Sequence, residues 1–385
     1  MTDVSVIVPS YNHAAYVVDA VASVLNQTAT IQEVIVVDDA SSDDSLPRLR
    51  QLDDPRLRII ALDQNRGGSE SLNVGIRASR FPLISICNSD DLWEPTKLEE
   101  QLRWLGEDPN IGAVFTNVSW IGKYGEELDA HGGYGDVFRV ENRSRHAWIR
   151  SLVENGNCFC HPSILVRRSI YDDVGLYDNR FRQLPDYKMW LAILKHAEFH
   201  VLEEKLVRFR VHDNTSAPSP SASTRDRNEF LEILMDLMAN ISVNDFFLAF
   251  GSRFPPTDPR FDLRVEISLY LWSLTGHISP IAFWVANHLC MGLLATDDGK
   301  AAWTAYGFTM FEFHLLKGIE SPWVNARGRG DFTAAECSVL RRIRAADRSG
   351  SPAVMLPNKR VRIPRRDKIK REIRRIGKQI QGFLS

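Results

Sequence analysis

The stretch Leu83-Ile-Ser-Ile-Cys-Asn88-Ser-Asp90-Asp91-Leu-Trp93 opens as an apolar run of strand length and closes in a polar cluster with two adjacent carboxylates. A buried strand ending so abruptly puts Asn88, Asp90 and Asp91 at its carboxyl end, where open α/β sheets bind their ligands. Adjacent carboxylates repel one another, and a cation lying between them and an anionic diphosphate relieves that repulsion. The same residues also make an ordinary helix start, since Asp followed by Pro95 is good capping chemistry. The surrounding chain decides between the two readings.

Upstream, Val4 to Pro9 reads as a buried strand, and Ser10-Tyr11-Asn12-His13 turns into a helical pattern with Ala20, Val21, Val24 and Leu25 on one face. That first turn is not glycine-rich, which counts against a nicotinamide or flavin enzyme. Glu33 to Val37 is a second strand, and Asp38-Asp39 at its end are placed to accept hydrogen bonds from a base or ribose, with Ser42 or Asp43 capping the next helix. Leu57 to Leu62 forms a third strand, followed by the turn Asn65-Arg66-Gly67-Gly68 and a helix carrying Leu72, Asn73, Gly75 and Ile76. Strands alternating with helices through Leu105 predict a mainly parallel sheet with helices on both faces.

Four motifs together carry a resemblance: Val6-Ile-Val-Pro9-Ser-Tyr11-Asn12, Val36-Val-Asp38-Asp39-Ala-Ser-Ser-Asp43, Asn65-Arg-Gly67-Gly-Ser-Glu-Ser-Leu-Asn73-Val-Gly75 and Asn88-Ser-Asp90-Asp91-Leu-Trp93. In this order, each at a strand end, they resemble glycosyltransferase family 2. The resemblance implies the GT-A fold, a nucleotide diphosphate sugar donor (a UDP-sugar first), a carbohydrate or lipid-linked acceptor and inverting chemistry. It assigns Tyr11 and Asp39 to the nucleoside, with Pro9, Asp38, Asn65, Gly67, Asn73, Asn88, Asp90 and Arg210 completing the nucleotide-sugar site. It assigns Mn²⁺ or Mg²⁺ to Asp90, Asp91 and His212. Asn88 stands where the family's acidic run usually begins with Asp. Independently of the family, a departing diphosphate accumulates negative charge that such a cation stabilises, and oxygen-only ligands suit these hard ions rather than zinc.

Ala113 to Val118 is a further strand, followed by a Gly- and charge-rich stretch, Gly122 to Asn142, that is a candidate acceptor-side wall. Asn155 to Val166 resembles the family segment beneath the acceptor site, where His161 reads equally as pocket or structure. Gln183-Leu-Pro185-Asp186-Tyr-Lys-Met-Trp190 starts a helix, and its Asp resembles the family's general base, with Pro185 standing in place of the usual Glu. A helix cap is the alternative role for Asp186. Phe209-Arg210-Val-His212 resembles the element closing the catalytic domain, which offers His212 to the metal or diphosphate and Arg210 to a phosphate or an internal acid.

With 385 residues, 44% of them hydrophobic and 25% charged, the chain is globular in usage. A net charge of −2 gives no case for nucleic acid. Five scattered cysteines argue against a disulfide framework and a zinc ribbon, with reduced core thiols expected. Met1 to Asp3 lead straight into a strand without a basic segment, so a cytoplasmic protein is expected. The composition shifts at Ala217 to Thr224, read as a linker, and helical patterns follow over 230–238, Leu263 to Leu274, Ile281 to Leu294 and Trp303 to Leu316. From Lys359 to the end, eleven basic residues face two acidic ones. There Ile369, Ile373, Ile376, Ile380 and Leu384 fall on one helical face, a pattern that fits peripheral association of 359–385 with an anionic membrane or docking on the acidic body.

The expected organisation is a catalytic domain over 1–216, an all-helical region over 217–345 and a basic tail over 346–385. The expected function is metal-dependent glycosyl transfer in polysaccharide, glycolipid or other glycan synthesis, with Asp186 as the base. Two alternatives stand beside it: a nucleotidyltransferase, which would want a glycine-rich basic loop after the first strand, and a sugar-nucleotide-binding scaffold, which Asn88 and Pro185 favour.

Overall fold

In a computed structural model of the chain, the structure describes residues 3–128, 137–212, 220–274, 280–318 and 334–346. Strands β1 (Val4–Ser10), β2 (Glu33–Asp38), β3 (Leu57–Ala61) and β4 (Leu83–Ile86) alternate with helices α1 (Val17–Leu25), α2 (Ser45–Leu49) and α3 (Gly68–Ala78). Then come β5 (Leu92–Trp93), α4 (Lys97–Glu107), β6 (Ile111–Ile121), β7 (Glu127–Leu128), α5 (Arg145–Asn155), β8 (Leu165–Arg167), α6 (Arg168–Val174), α7 (Pro185–Ile193) and β9 (Glu198–Arg210).

The strands form one nine-stranded sheet in the order β3-β2-β1-β4-β8-β6-β9-β5, with β7 on β6. The β3-β2-β1-β4 half is parallel throughout, β6 and β9 run the same way, and only the short strands β8, β5 and β7 run against them. The expected mixed α/β, mainly parallel architecture is therefore present, and the carboxyl ends of β1, β2, β4 and β9 open on one edge.

Alternation along the strands separates two apolar layers. Val4, Val6 and Val8 pack on one face with Val21 and Val24 of α1 and Leu98 of α4, while Ile7, Ile84 and Ile86 pack on the other with α3 and α7. Gly75 is required by that second layer, because a Cβ there would come within 2.4 Å of Ile7 Cγ2.

The remaining helices are α8 (Pro220–Asn240), α9 (Val243–Phe250), α10 (Leu263–Ser273), α11 (Pro280–Leu294), α12 (Asp297–Ala305), α13 (Met310–Gly318) and α14 (Ala334–Ala346). Two sequence expectations are corrected here. The Ala217 to Thr224 linker ends early, since α8 begins at Pro220 and Ala222 is buried; Pro suits a first helical position because its missing N–H has no partner there. The 303–316 pattern is not one helix: Gly307, with φ of 78°, breaks it between α12 and α13. Ile233, Leu234 and Leu237 of α8 and Trp272 of α10 join the same buried cluster as Trp148 of α5 and Trp190 of α7. Cys87, Cys158, Cys160 and Cys290 are free thiols. Among the described residues no single helix is long and apolar enough to cross a membrane. The tail expectation over 359–385 lies outside the described residues.

Candidate active site

The ends of β1 and β2 are level, with Ser10 opposite Asp38, and the turns that follow are clipped together. Asn12 adopts φ of 53°, its backbone N–H donates to Ser41 Oγ, and its Oδ1 accepts from the Ser42 N–H. Asp43 accepts from the backbone of Ala14 and Ser45, so it ties the two turns, while Asp44 takes the cap position of α2. Asp39 is buried, and its two oxygens accept the N–H groups of Arg66 at 2.7 Å and Gly67 at 2.8 Å. Its carboxylate thus shapes the turn carrying Asn65 and Gly67, whose φ of 87° suits glycine. Asp38 Oδ2 accepts from Ser41, but Asp38 Oδ1 and Ser10 Oγ are buried with no protein partner. Buried polar atoms of that kind are costly unless a partner satisfies them, and these two stand opposite each other where β1 and β2 end. Tyr11 stands open beside them and Pro9 is partly buried.

The acidic run divides its labour. Asp90 Oδ2 lies 2.9 Å from His212 Nε2 and 4.0 Å from His13 Nε2, and the Nδ1 of His13 is 2.7 Å from Ser89 Oγ. Ligand atoms of His13, Asp90 and His212 all lie within 4.8 Å of one another. Burial holds the His13 imidazole below the usual histidine range, against the pull of the Asp90 carboxylate, so the ring offers a free lone pair. Two imidazole nitrogens and one carboxylate oxygen fit a divalent transition ion.

Asp91 does not join this group. It is buried, with Oδ1 accepting the Arg210 backbone N–H at 2.7 Å and Oδ2 accepting Asn88 Nδ2 at 3.0 Å. Burial first, and then the Asp90 charge, push its carboxyl well above the ordinary range. Asn88 is thereby turned to Asp91. The Arg210 side chain is also occupied, donating to the carbonyls of Asp90, Gly122 and Lys123 with its guanidinium 4.8 Å over the Tyr16 ring. Asn73 likewise faces inward, its amide clamping both the N–H and the carbonyl of Tyr177.

Asp186 stands second in α7 and keeps part of its surface open to solvent. Its Oδ1 accepts the Tyr187 N–H at 2.8 Å and its Oδ2 accepts Asn157 Nδ2 at 2.8 Å. Burial pushes its carboxyl up to about 6, beyond what those hydrogen bonds pull back. It therefore stays ionised at neutral pH yet is a stronger base than an ordinary aspartate. His161 packs against Trp190 and Tyr177, 2.9 Å from the Tyr177 hydroxyl, and burial lowers it to about 4. That is a structural histidine.

Sequence reading alone missed His13, Asn157 and the partner of the Arg182 to Leu184 turn, Glu229. His13 had a signal, a titratable ring directly after a strand end in the first motif. Glu229 had none, because it is 46 residues from the Gln183 N–H it holds.

The model of the Glycosyl transferase family 2 matches residues 5–175. ExoO of Rhizobium meliloti (strain 1021), a succinoglycan biosynthesis protein, is 41% identical over 196 residues, which cover 50% of this chain and 56% of that protein. The provisionally named teichuronic acid biosynthesis glycosyltransferase TuaG of Bacillus subtilis (strain 168) is 28% identical, over 55% of this chain and 80% of its own length. Among solved structures, S. aureus TarS 1-349 in complex with UDP-GlcNAc superposes with a TM-score of 0.51 at 15% identity, over 90% of both chains. The mannosyltransferase PcManGT of Pyrobaculum calidifontis, in complex with GDP-Man and Mn²⁺, gives 0.50 at 17% identity, over 89% of this chain and 86% of its own. These two likenesses show the GT-A fold.

Proposed function

From the premise that this chain is a glycosyltransferase with its family 2 domain over residues 5–175, we propose that it transfers a sugar, with inversion, from a nucleotide diphosphate sugar to an acceptor hydroxyl. The observation that carries this reading is that the chain holds two unlike groups: the His13, Asp90 and His212 cluster, and the partly buried Asp186 carboxyl, which burial makes more basic.

Asp38, with Ser10 beside it, receives the donors of the base or ribose, and Tyr11 lies alongside. The turn held by Asp39 presents the backbone of Asn65 to Gly67 to the rest of the nucleotide. Asp186 accepts the proton of the acceptor hydroxyl as that oxygen bonds to the anomeric carbon. The bond from that carbon to the diphosphate breaks on the opposite side, so one configuration inverts and no enzyme-linked sugar forms. His13, Asp90 and His212 would hold a divalent cation, which when bound would supply charge stabilisation to the departing diphosphate. With His13 in place of the expected Asp91, the set has two nitrogen donors instead of one, which favours Mn²⁺ over Mg²⁺.

Relatives named for succinoglycan and teichuronic acid synthesis support a growing polysaccharide or lipid-linked saccharide as acceptor. The basic, amphipathic sequence of 359–385 would bring the enzyme to an anionic membrane carrying such an acceptor. The test is release of nucleoside diphosphate from UDP-glucose, UDP-galactose, UDP-N-acetylglucosamine and GDP-mannose with Mn²⁺. One donor should turn over and stop with excess chelator; no release from any donor, or full turnover in chelator, overturns the reading.

A further inference from the structure

Three consecutive backbone N–H groups, those of Arg182, Gln183 and Leu184, lead into α7. Pro185 then opens the helix without an N–H of its own, and the Leu184 side chain closes nothing. All three donors go to one side chain from another part of the chain. Arg182 N–H donates to Glu229 Oε1 at 2.9 Å, and those of Gln183 and Leu184 donate to Glu229 Oε2 at 2.8 Å each. Glu229 lies on α8, only 8% exposed. Its neighbour Phe230 stacks on Tyr187 at 5.6 Å, and Ile233 and Leu234 sink into the core shared with Trp190.

We infer that Glu229 is a positioning residue for sugar transfer: a carboxylate of the helical region fixes the turn from which Asp186 meets the acceptor hydroxyl. The inference rests on Asp186 acting as the base. The Asp186 side chain is tied at both oxygens, to Tyr187 and Asn157, but those bonds orient it only as well as the backbone beneath it is held. Glu229 holds that backbone two residues away with three charge-assisted bonds. It also faces Asp186 electrostatically. Among the described residues, the titratable groups that interact with Asp186 are Glu229 from α8, Tyr177 from the segment before α7 and Cys160 from the segment before β8. Burial pushes the tyrosine and the thiol well up, so both stay neutral at pH 7. The Glu229 carboxylate is the remaining source of repulsion, and it adds to the larger effect of burial in keeping Asp186 basic. The helical region is thus part of the catalytic assembly and not merely attached to it.

The experiment compares wild type, Glu229→Gln and Glu229→Asp in the full chain, using whichever of the four nucleotide sugars above turns over with Mn²⁺. Gln places an NH₂ against N–H donors and removes the charge. Its kcat should fall about 10- to 100-fold with the donor KM unchanged, since a displacement of about 1 Å at the reacting atoms costs that much. The acid limb of its pH profile should move to lower pH. Asp keeps the charge with a shorter reach, so Glu229→Asp should hold the acid limb in place and recover part of the kcat, and it carries the test if the Gln variant does not fold. A wild-type kcat in either folded variant, or a kcat loss matched by a loss of donor affinity, overturns the inference. Asp186→Asn distinguishes the two levels. If it transfers normally the base assignment fails, and if it is inactive while Glu229→Gln is normal only the positioning role fails.

Discussion

His212 Nε2 lies 2.9 Å from Asp90 Oδ2, so the last residue of the motif after β9 meets the strand-end carboxylate after β4 across the sheet edge. His13 closes the group from the turn after β1, anchored through Ser89. This set predicts that Mn²⁺ binds more tightly than Mg²⁺. His13→Ala should weaken Mn²⁺ binding by at least the roughly 10- to 100-fold seen when a ligand's own support is lost. Calorimetric titration of the purified protein with each ion measures both. Equal Mn²⁺ affinity in His13→Ala would remove His13 from the site.

Asp91 behaves differently from Asp90 because it is spent on protein. Replacing it by Ala leaves the Arg210 N–H and the Asn88 amide without their acceptor in a buried position. The expected cost is about 1–3 kcal/mol of stability for each unsatisfied group. Asp91→Ala should melt several degrees lower and lose activity through that instability, whereas Asp90→Ala gives up one partner, His212, and should melt closer to wild type while losing Mn²⁺ binding. Thermal melts of the two variants decide it: an unchanged melt for Asp91→Ala contradicts the structural role.

Lys97 is fully buried beneath the same strand, its Nζ 3.1 Å from Ser85 Oγ, 2.8 Å from Gln101 Oε1 and 3.8 Å from the centre of the Trp93 ring. Among the described residues no carboxylate pairs with it, and burial lowers the amine to about 7. The unfolded chain therefore holds a proton that the folded chain releases between about pH 7 and the ordinary lysine range. Stability should rise as pH climbs through that window, because the unfolded state binds more protons there. Melting temperatures from pH 7 to 9.5 should climb in the wild type relative to Lys97→Met; parallel curves would mean that Lys97 is paired or hydrated in solution.

The convergence of the strand-end motifs was legible in the sequence because a parallel sheet puts every strand's carboxyl end on one edge, so the segments after β1, β2, β4 and β9 had to meet. Which oxygen faces the ligand was not legible. Asp90 and Asp91 are adjacent and both buried, and only their partners differ: Asp91 is braced by Arg210 and Asn88, while Asp90 faces His212 and His13. Asn73 and Arg210 misled for the same reason: a polar residue in a nucleotide motif can be holding the loop that holds the ligand. The helical region gave no functional signal, since Glu229 looks like any charge on an amphipathic helix until its three backbone donors are seen.

The basic sequence of 359–385 makes a prediction from pattern alone. Each basic residue near an anionic surface contributes about 1 kcal/mol, so a helix presenting its apolar side to lipid should float with phosphatidylserine-rich vesicles. A chain ending at Asn358 should not. Equal flotation of the two would leave the tail without a membrane role.

Asp186→Asn keeps the size of the side chain and one of its two acceptors, so its oxygen holds the Tyr187 N–H while its NH₂ displaces the Asn157 amide in a part-buried position. Its melting temperature should fall by no more than the loss of one hydrogen bond, about 1 kcal/mol. An amide cannot take the acceptor's proton at neutral pH, so transfer should fall about 10²- to 10⁴-fold while donor affinity hardly changes, the loss falling on the transition state. The pH dependence carries the same sign. The ionised form of Asp186 is the active one, and burial places its titration at about 6, so wild-type kcat should rise as pH climbs through that value and level off above it. An ordinary exposed aspartate would level off near 4 instead. The decisive measurement is the pair, transfer rate against pH and nucleotide affinity, on the same purified proteins. Near-normal transfer by the Asn variant would reduce Asp186 to a first-turn residue of α7 and leave the acceptor hydroxyl without a base among the described residues.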